Sequence, residues 1–268
     1  MNIKEKIGLI GVGNMGTAIV EGLLKGPDRI PSGNVTVFDK IIEKAVAFSG
    51  KWKIIKAASN QELVEKSDVV ILAVKPQDLS ATAAEIQSAW KNSHVLISIL
   101  AGMPVSKVRS AAGAAPKIIR AMPNLGAKVD QSITAITGDH GALAIAEQIF
   151  SRCGKVVRLE EKHFDLVTAL SGSGPAYFFL LMEMLAAEGA KRGLTKEQAN
   201  LLAVQTAVGA GLLAQNVAES PAELRAMVTS KGGTTEAALK VMEEGNIRKI
   251  FSEAIAAAMK RAGELSKT

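Results

Sequence analysis

The stretch that decides the fold is Ile-Gly-Leu-Ile-Gly-Val-Gly-Asn-Met-Gly, residues 7–16 of the 268-residue chain. Four mostly apolar residues are followed by glycines spaced as GxGxxG, and a helical pattern over residues 15–24 comes next. In this strand–turn–helix context Gly11 permits a tight turn, Gly13 lets a pyrophosphate approach the backbone, and Gly16 lets the helix pack closely on the strand. The pattern predicts a dinucleotide site at the start of the helix. The alternative is a glycine-rich turn without a ligand.

Beyond this stretch, the first part of the chain alternates short apolar runs with helical patterns. Runs such as Val69-Val70-Ile71-Leu72-Ala73 are typical of parallel strands that helices cover on both faces. The alternation predicts βαβ units with right-handed crossovers. Strands are predicted over residues 7–10, 35–38, 53–55, 69–73, 95–98, 118–121, 133–136 and 156–159. The helices between them are predicted over residues 15–24, 41–49, 61–66, 79–89, 105–111 and 142–150.

After residue 159 only helical patterns follow. Pro175 and Pro221 suit the first turn of a helix, where a missing N–H costs nothing. The stretch 196–217 carries Ala and Gly on several faces, so we expect it to be buried against other helices, of this chain or of a partner subunit. Helices are predicted over residues 162–170, 175–192, 196–217, 221–228, 235–244 and 247–265. The predicted fold is an α/β chain: a Rossmann-type dinucleotide-binding domain over residues 1–160, then an all-α domain over residues 161–268.

The composition excludes several classes of function. The 32 basic and 26 acidic residues give a net charge of +6 without a basic block, so no nucleic-acid partner is expected. Cys153 is the one cysteine, which excludes an intrachain disulfide and a thiolate metal cluster, and the three histidines share no metal-like spacing. No metal is therefore expected.

The chain also shows no signal for export or for a membrane span. Its first residues pass straight into an apolar run and leave no room for a signal peptide. Residues 201–214 are predicted to be the longest mostly apolar stretch, and they are fewer than the ~20 residues that a membrane span needs. A cytoplasmic protein without a membrane partner is expected.

The end of the second predicted strand carries an acidic residue. Asp39 lies 23 residues after Gly16. An acid about 20 residues after the fingerprint accepts hydrogen bonds from the adenosine ribose. Such a carboxylate repels a 2′-phosphate and favours NADH over NADPH, whereas Lys40 could pair with that phosphate. Asp39 could instead simply cap a helix.

Two later strand ends lie where open α/β sheets bind ligands, beyond the carboxyl ends of the strands. Ala73-Val74-Lys75-Pro76 ends the fourth predicted strand, and Ala101-Gly102 follows the fifth. The end of a strand and the start of an ordinary loop explain both patterns equally well.

No strong general acid stands out in the sequence. Tyr177 is the one tyrosine and has no lysine four residues later, and Ser171 and Ser173 lie in a glycine-flanked turn that lacks a strand–elbow–helix context. This absence suits the reduction of an already protonated C=N bond, which needs a hydride and orientation. The segment Ser230-Lys231-Gly232-Gly233-Thr234-Thr235, at a helix start, is either a backbone site for a carboxylate or phosphate or a capped turn.

Together these residues resemble the pyrroline-5-carboxylate reductase family over nearly the whole chain. The resemblance is carried by residues 10–16, 73–76, 119–124, 170–177 (LSGSGPAY) and 228–235. It implies reduction of 1-pyrroline-5-carboxylate to L-proline, the last step of proline biosynthesis, with NADPH or NADH. The alternatives are a related imine or hydroxy-acid reductase of the same two-domain plan, or a catalytically silent dinucleotide sensor.

The resemblance also implies roles for individual residues. Thr235 would hydrogen-bond near the imine nitrogen and is the predicted catalytic residue. The other implied substrate-binding residues are Glu161, Gly232, Gly233 and Thr234. The implied cofactor-binding residues are Ile10, Gly11, Val12, Gly13, Asn14, Met15, Asn60, Ala73, Val74, Lys75, Pro76, Leu100, Ala101 and Gly102.

The resemblance further implies a homo-oligomer whose intertwined helical domains form the substrate site. The chain departs from the family pattern at two places near that site. Lys231 stands where the family usually has proline, and Leu125-Gly126 replaces a usual Thr-Pro.

Overall fold

The computed structural model describes residues 3–265, and within them a single twisted sheet has the strand order β3-β2-β1-β4-β5-β6-β7-β8. The chain leaves β1 in one direction toward β2 and β3 and returns on its other side with β4. This reversal makes the β1/β4 junction the point where such sheets bind ligands. The strands are β1 Ile7–Ile10, β2 Val35–Phe38, β3 Ile55–Lys56, β4 Val69–Leu72, β5 Val95–Ser98, β6 Lys117–Met122, β7 Ser132–Gly138 and β8 Gly154–Arg158.

The strands from β1 to β6 pair in parallel, as predicted, but β7 runs antiparallel to β6, with Ala121 opposite Ile136. The expectation of βαβ units throughout is wrong at this pair. The connection over residues 123–131 holds only a short 3₁₀ segment, Leu125–Val129, whereas a parallel crossover needs about a dozen residues or more. Strand β8 is again parallel to β7, because a helix joins them.

Helices accompany the strands, and they lie close to the predicted positions. They are α1 Asn14–Leu24, α2 Ile42–Trp52, α3 Asn60–Glu65, α4 Leu79–Ile86, α5 Val105–Ala112 and α6 His140–Phe150. Short 3₁₀ segments cover Ser32–Asn34, Pro76–Asp78 and Gln87–Ala89.

Helix α2 differs most from its prediction, because it continues past Ser49 to Trp52. The indole N–H of Trp52 donates to Glu21 at 3.1 Å and its ring packs against the core, which anchors the added turn. Lys53 then ends the helix in the left-handed region (φ 54°). The strand predicted over residues 53–55 is therefore displaced to the two residues Ile55–Lys56.

The core of this part forms two layers, one on each face of the sheet. In β4, Val69 and Ile71 belong to one buried cluster while Val70 and Leu72 belong to the other. Alternate side chains of a strand point to opposite faces, so a strand covered on both sides has to be apolar throughout. This explains the uninterrupted apolar run in the sequence.

The described residues divide into two compact units, of which the first extends to Ser173 and also includes the described residues from Ala258 onward. The second unit is Gly174–Ala257. The predicted division assigns residues 1–160 to dinucleotide binding and residues 161–268 to substrate binding and dimerisation. This assignment of tasks stays a prediction. The remaining helices are α7 Phe164–Val167, α8 Gly174–Lys191, α9 Lys196–Asn216, α10 Pro221–Met227, α11 Thr234–Glu244 and α12 Ile247–Leu265, and a 3₁₀ segment covers Glu161–His163.

The serine-containing segment before α8 is helical, so the expectation of a turn there is wrong. Thr168–Gly172 form a π-helical turn, in which the N–H of Ser173 donates to the carbonyl of Thr168 at 2.8 Å. The half-buried Ser171 hydroxyl donates to the carbonyl of Val167 at 3.1 Å. Pro175 lies in the first turn of α8, as predicted.

Helix α9 is largely exposed in this chain, with Ala199 and Ala203 its buried residues. Burial of residues 196–217 against other helices of the same chain is therefore wrong, and the alternative of a partner subunit stays a prediction. The stretch 201–214 is also not the longest apolar one. By length and composition alone, the 31-residue helical segment Glu161–Lys191 is apolar enough to cross a membrane, a test that core helices of soluble proteins also pass.

Candidate functional site

The glycine turn after β1 has the geometry that its sequence predicts. Gly11 has φ +98°, and a Cβ placed there would lie 2.7 Å from the carbonyl oxygen of Ala73. At Gly16 a Cβ would lie 2.8 Å from Leu9 Cδ1, so this glycine does let the helix pack closely on the strand. A Cβ at Gly13 would meet nothing within 4 Å. The backbone at Gly13 is therefore open to a ligand.

The start of α1 offers unpaired donors beside this opening. Among the described residues, the backbone N–H groups of Asn14, Met15 and Gly16 have no acceptor, and the first turn contains no acidic side chain. The N-terminal end of a helix also carries the positive end of its dipole. This combination binds anions such as a phosphate.

Asp39 holds the turn in place. Its Oδ2 accepts the N–H of Val12 at 2.7 Å and its Oδ1 accepts the N–H of Ile41 at 2.8 Å, so it joins the glycine turn to the start of α2. Each carboxylate oxygen can accept a second hydrogen bond, and the ribose contact stays a prediction. Lys40 forms an ion pair with Asp78 at 3.0 Å, which a 2′-phosphate would have to break.

A cleft of about 380 Å³ collects many of the predicted cofactor residues at the carboxyl ends of β1, β2 and β4. The predicted residues that line it are Ile10, Gly11, Gly13, Asp39, Lys40, Asn60, Ala73, Val74 and Lys75. The other predicted residues are outside its lining: Val12, Asn14, Met15, Gly16, Pro76, Leu100, Ala101 and Gly102. Lining residues that the sequence missed include Lys44, Asp78, Thr82 and Glu85.

The side-chain oxygen of Asn60, which lines this cleft, is a buried hydrogen-bond acceptor that no described group donates to. Ser59 caps α3 and thereby places Asn60 at the first position of that helix. The Asn60 Nδ2 donates to Glu85 at 2.6 Å, while its Oδ1 is buried and has no hydrogen-bond partner among the described residues. An unsatisfied buried acceptor costs about 1–3 kcal/mol, so Asn60 and the open Gly13 backbone together fit a bound dinucleotide.

The predicted substrate turn lies in the second compact unit, at the start of α11. Gly232 has φ +73° and its N–H donates to the Glu236 side chain at 2.7 Å, while the N–H of Gly233 donates to Ser230 at 3.0 Å. The turn therefore satisfies two of its own donors. The N–H groups of Thr234 and Thr235 have no acceptor among the described residues, and a role for them in anion binding stays a prediction.

Glu161 lies in the first unit, apart in sequence from this turn. Its Oε1 accepts the N–H of Val105, the first residue of α5, at 2.7 Å, and Nη1 of Arg120 at 3.1 Å. Arg120 is only 5% exposed, and its guanidinium lies 4.6 Å from the ring centre of Phe164. Sequence reasoning missed Arg120, although a charged residue inside an apolar strand was a visible signal.

The single cysteine lies away from this chemistry, in the buried core of the first unit. Burial raises the pKa of the Cys153 thiol to about 12, which keeps it protonated and unreactive at neutral pH. Within residues 3–265 there is no group of three or more His, Cys, Asp or Glu residues that could hold a metal ion.

Two family models and a full-length relative match this chain. Residues 161–265 match the model for pyrroline-5-carboxylate reductase dimerisation, and residues 6–102 match that for coenzyme F420-dependent NADP oxidoreductase. The pyrroline-5-carboxylate reductase of Pseudomonas aeruginosa is 36% identical over 98% of this chain and 97% of its own.

Two solved structures support the same conclusion. The pyrroline-5-carboxylate reductase of Coxiella burnetii has a TM-score of 0.91 and 37% identity over 99% of this chain and 100% of its own. Pyrroline carboxylate reductase of Plasmodium falciparum, solved with NADP bound, has a TM-score of 0.86 and 26% identity over 99% of this chain and 100% of its own. This chain therefore belongs to the pyrroline-5-carboxylate reductase family.

Proposed function

We propose that this chain performs its family's reaction, the reduction of 1-pyrroline-5-carboxylate to L-proline with NAD(P)H, and that the β1/β4 cleft holds the dinucleotide. The observation that carries the assignment of the cleft is the open backbone at Gly13 beside unpaired N–H groups of α1. A bound nicotinamide supplies the hydride, and the protein supplies proximity and orientation.

The cleft and the start of α1 beside it have distinct tasks in this proposal. The N–H groups of Asn14, Met15 and Gly16 bind the pyrophosphate. Asp39 accepts from the adenosine ribose while it also holds the turn, and the unsatisfied Oδ1 of Asn60 accepts a further hydrogen bond from the dinucleotide. Among the remaining predicted residues, Pro76 begins the 3₁₀ segment that follows β4, and residues 100–102 lie in the loop that follows β5.

The substrate carboxylate is assigned to the turn before α11. The N–H groups of Thr234 and Thr235 donate hydrogen bonds to this anion at the positive end of the helix, and the Thr235 hydroxyl orients the imine nitrogen. Gly232 and Gly233 shape the turn through the left-handed Gly232 backbone and the close approach of Gly233 to Ser230. In the first unit, both bonds from Val105 and Arg120 end on Oε1 of Glu161, and the substrate-binding role of Glu161 stays a prediction.

We further propose a homo-oligomer in which the helical part, residues 161–268, dimerises and the dinucleotide part, residues 1–160, binds the cofactor. The match of residues 161–265 to a dimerisation model and the exposed apolar side chains of α8 and α9 support this assignment. A cytoplasmic location, and the absence of nucleic-acid and membrane partners, stay predictions.

The decisive experiment is a steady-state assay of the purified protein with 1-pyrroline-5-carboxylate and either NADH or NADPH. We expect turnover, with NADH used at least as well as NADPH, because the Asp39 carboxylate repels a 2′-phosphate. Asp39→Ser should shift the preference toward NADPH. A tenfold higher kcat/KM for NADPH in the native protein, about 1.4 kcal/mol, would contradict the ribose assignment. No turnover with either cofactor, despite tight dinucleotide binding, would favour a silent sensor.

A further inference from the structure

A turn after β6 is built around Gly126. The N–H of Gly126 donates to Asn124 Oδ1 at 3.1 Å, and its carbonyl accepts the N–H of Gln131 at 2.9 Å. A Cβ at Gly126 would lie 2.4 Å from the Gln131 carbonyl oxygen. Proline would lack the N–H and would clash, so this turn depends on the Leu125-Gly126 sequence that distinguishes the chain.

The same turn brings a lysine to the dinucleotide fingerprint. Ala127 is 1% exposed and belongs to the same core cluster as Val12 and Ala18, which fixes the turn beside α1. The next residue, Lys128, is exposed, and its Nζ donates to the Oδ1 of Asn14 at 3.4 Å. Asn14 is the first residue of α1.

Two sources of positive charge thus meet without a counter-charge. One is the end of α1, with its unpaired N–H groups and no acidic residue in its first turn. The other is the Lys128 ammonium, which takes part in none of the ion pairs between described residues. A cation at the positive end of a helix dipole is electrostatically unfavourable. An anion bound between the Lys128 ammonium and the start of α1 would remove this repulsion.

We propose that Lys128 is a further cofactor-binding residue, whose ammonium binds the pyrophosphate of the dinucleotide together with the first turn of α1. The inference rests on the proposed cofactor cleft and adds a residue that lies 114 positions from Asn14, outside any fingerprint motif. The hydrogen bond to Asn14 places the ammonium at the first residue of α1, next in sequence to the open backbone at Gly13.

The test measures binding by calorimetry, without substrate, so that a failure of the reductase assignment does not affect it. The ligands are NADH, ADP-ribose, which keeps the pyrophosphate, and adenosine, which lacks it. The variants are Lys128→Gln, Lys128→Arg and, as a control with the same loss of charge, Lys155→Gln on the edge strand β8. Thermal unfolding without ligand checks that each variant folds.

We expect Lys128→Gln to raise the Kd of NADH and of ADP-ribose about three- to fivefold at low ionic strength, as for an exposed charge pair. The difference should shrink in high salt, and adenosine binding should not change. Lys128→Arg and Lys155→Gln should stay within about twofold of the native protein. Unchanged ADP-ribose binding by Lys128→Gln, or an equal loss in Lys155→Gln, would overturn the proposal. If Lys128→Gln fails to fold, Lys128→Met takes its place. ADP-ribose binding by Lys128→Met with the same salt dependence as the native protein would overturn the proposal.

Discussion

The two compact units bury their apolar side chains to very different extents. The largest fully buried side chains, such as Phe150, Phe164 and Ile71, all belong to the first unit. In the second unit, Phe179 on α8 is 55% exposed and Leu212 on α9 is 51% exposed. A sheet covered on both faces completes its own core, whereas a set of helices with apolar residues on several faces needs further surface to cover them. The stability of the second unit should therefore depend on a second copy of the chain.

The largest effect tests the self-sufficient core. Phe150→Ala should lower the free energy of unfolding of the first unit by about 3–5 kcal/mol, because it leaves a cavity in a closed core. Urea unfolding at two protein concentrations measures it. The matched control is Phe179→Ala, whose cost should shrink on dilution, because it acts on association and disappears once both proteins are dissociated. Equal, concentration-independent costs for the two would remove the contrast between the units.

The next effect tests the uncovered surface of the second unit. Leu212→Asp should weaken association at least about 100-fold, or about 2.7 kcal/mol, since it places a carboxylate in an apolar interface. Light scattering over a dilution series measures the change. Val46→Asp, at a half-exposed apolar position of α2 in the first unit, is the control and should leave association unchanged. A native-like assembly of the Leu212→Asp variant would show that α9 is not covered by a second copy.

A smaller effect separates the chemical tasks of the units. Thr235→Ala should lower kcat/KM for the pyrroline substrate about ten- to a hundredfold, as for the loss of one hydrogen bond of ~1.5–3 kcal/mol to a charged group. The Kd of the nicotinamide cofactor should barely change, because its cleft belongs to the first unit. Thr235→Ser keeps the hydroxyl and should retain most activity. Unchanged steady-state parameters in Thr235→Ala would mean that the substrate site lies elsewhere.

The smallest effect is the pH dependence of stability that the buried Cys153 thiol gives to the first unit. Burial raises the pKa of Cys153 to about 12 from an ordinary value of 9.0, so the folded state keeps a proton that the unfolded chain loses above pH 9. The resulting stability is fully present at lower pH and is lost as the pH rises. Between about pH 8 and 9.5 the native protein should lose ~0.8 kcal/mol more than Cys153→Ser, measured by urea unfolding. Identical pH dependence in both proteins would mean that the thiol is not protected by the fold.

Sequence reasoning was most accurate where a feature depends on neighbouring residues. The glycine turn at residues 11–16 and the buried strand β4 were both predicted in place, because the turn needs particular backbone angles and a strand covered on both sides needs an apolar run. It was least accurate at β7 and at the π-helical turn before α8. At β7 the outcome depends on the length of the connection from β6, and at the π-helical turn it depends on an i→i+5 backbone hydrogen bond that no residue pattern indicated.

The sequence by itself determined the dinucleotide fingerprint, the alternation that makes a Rossmann-type sheet, and the helical second half. Only the tertiary structure decided which distant residues meet: Asn60 with Glu85, Arg120 with Glu161, and Lys128 with Asn14. The physical reason is that local patterns determine backbone conformation over a few residues, while the meeting of distant side chains depends on strand order and connection lengths. The exposure of apolar side chains on α8 and α9 is likewise seen only in the folded chain, where no other described part of the chain covers them.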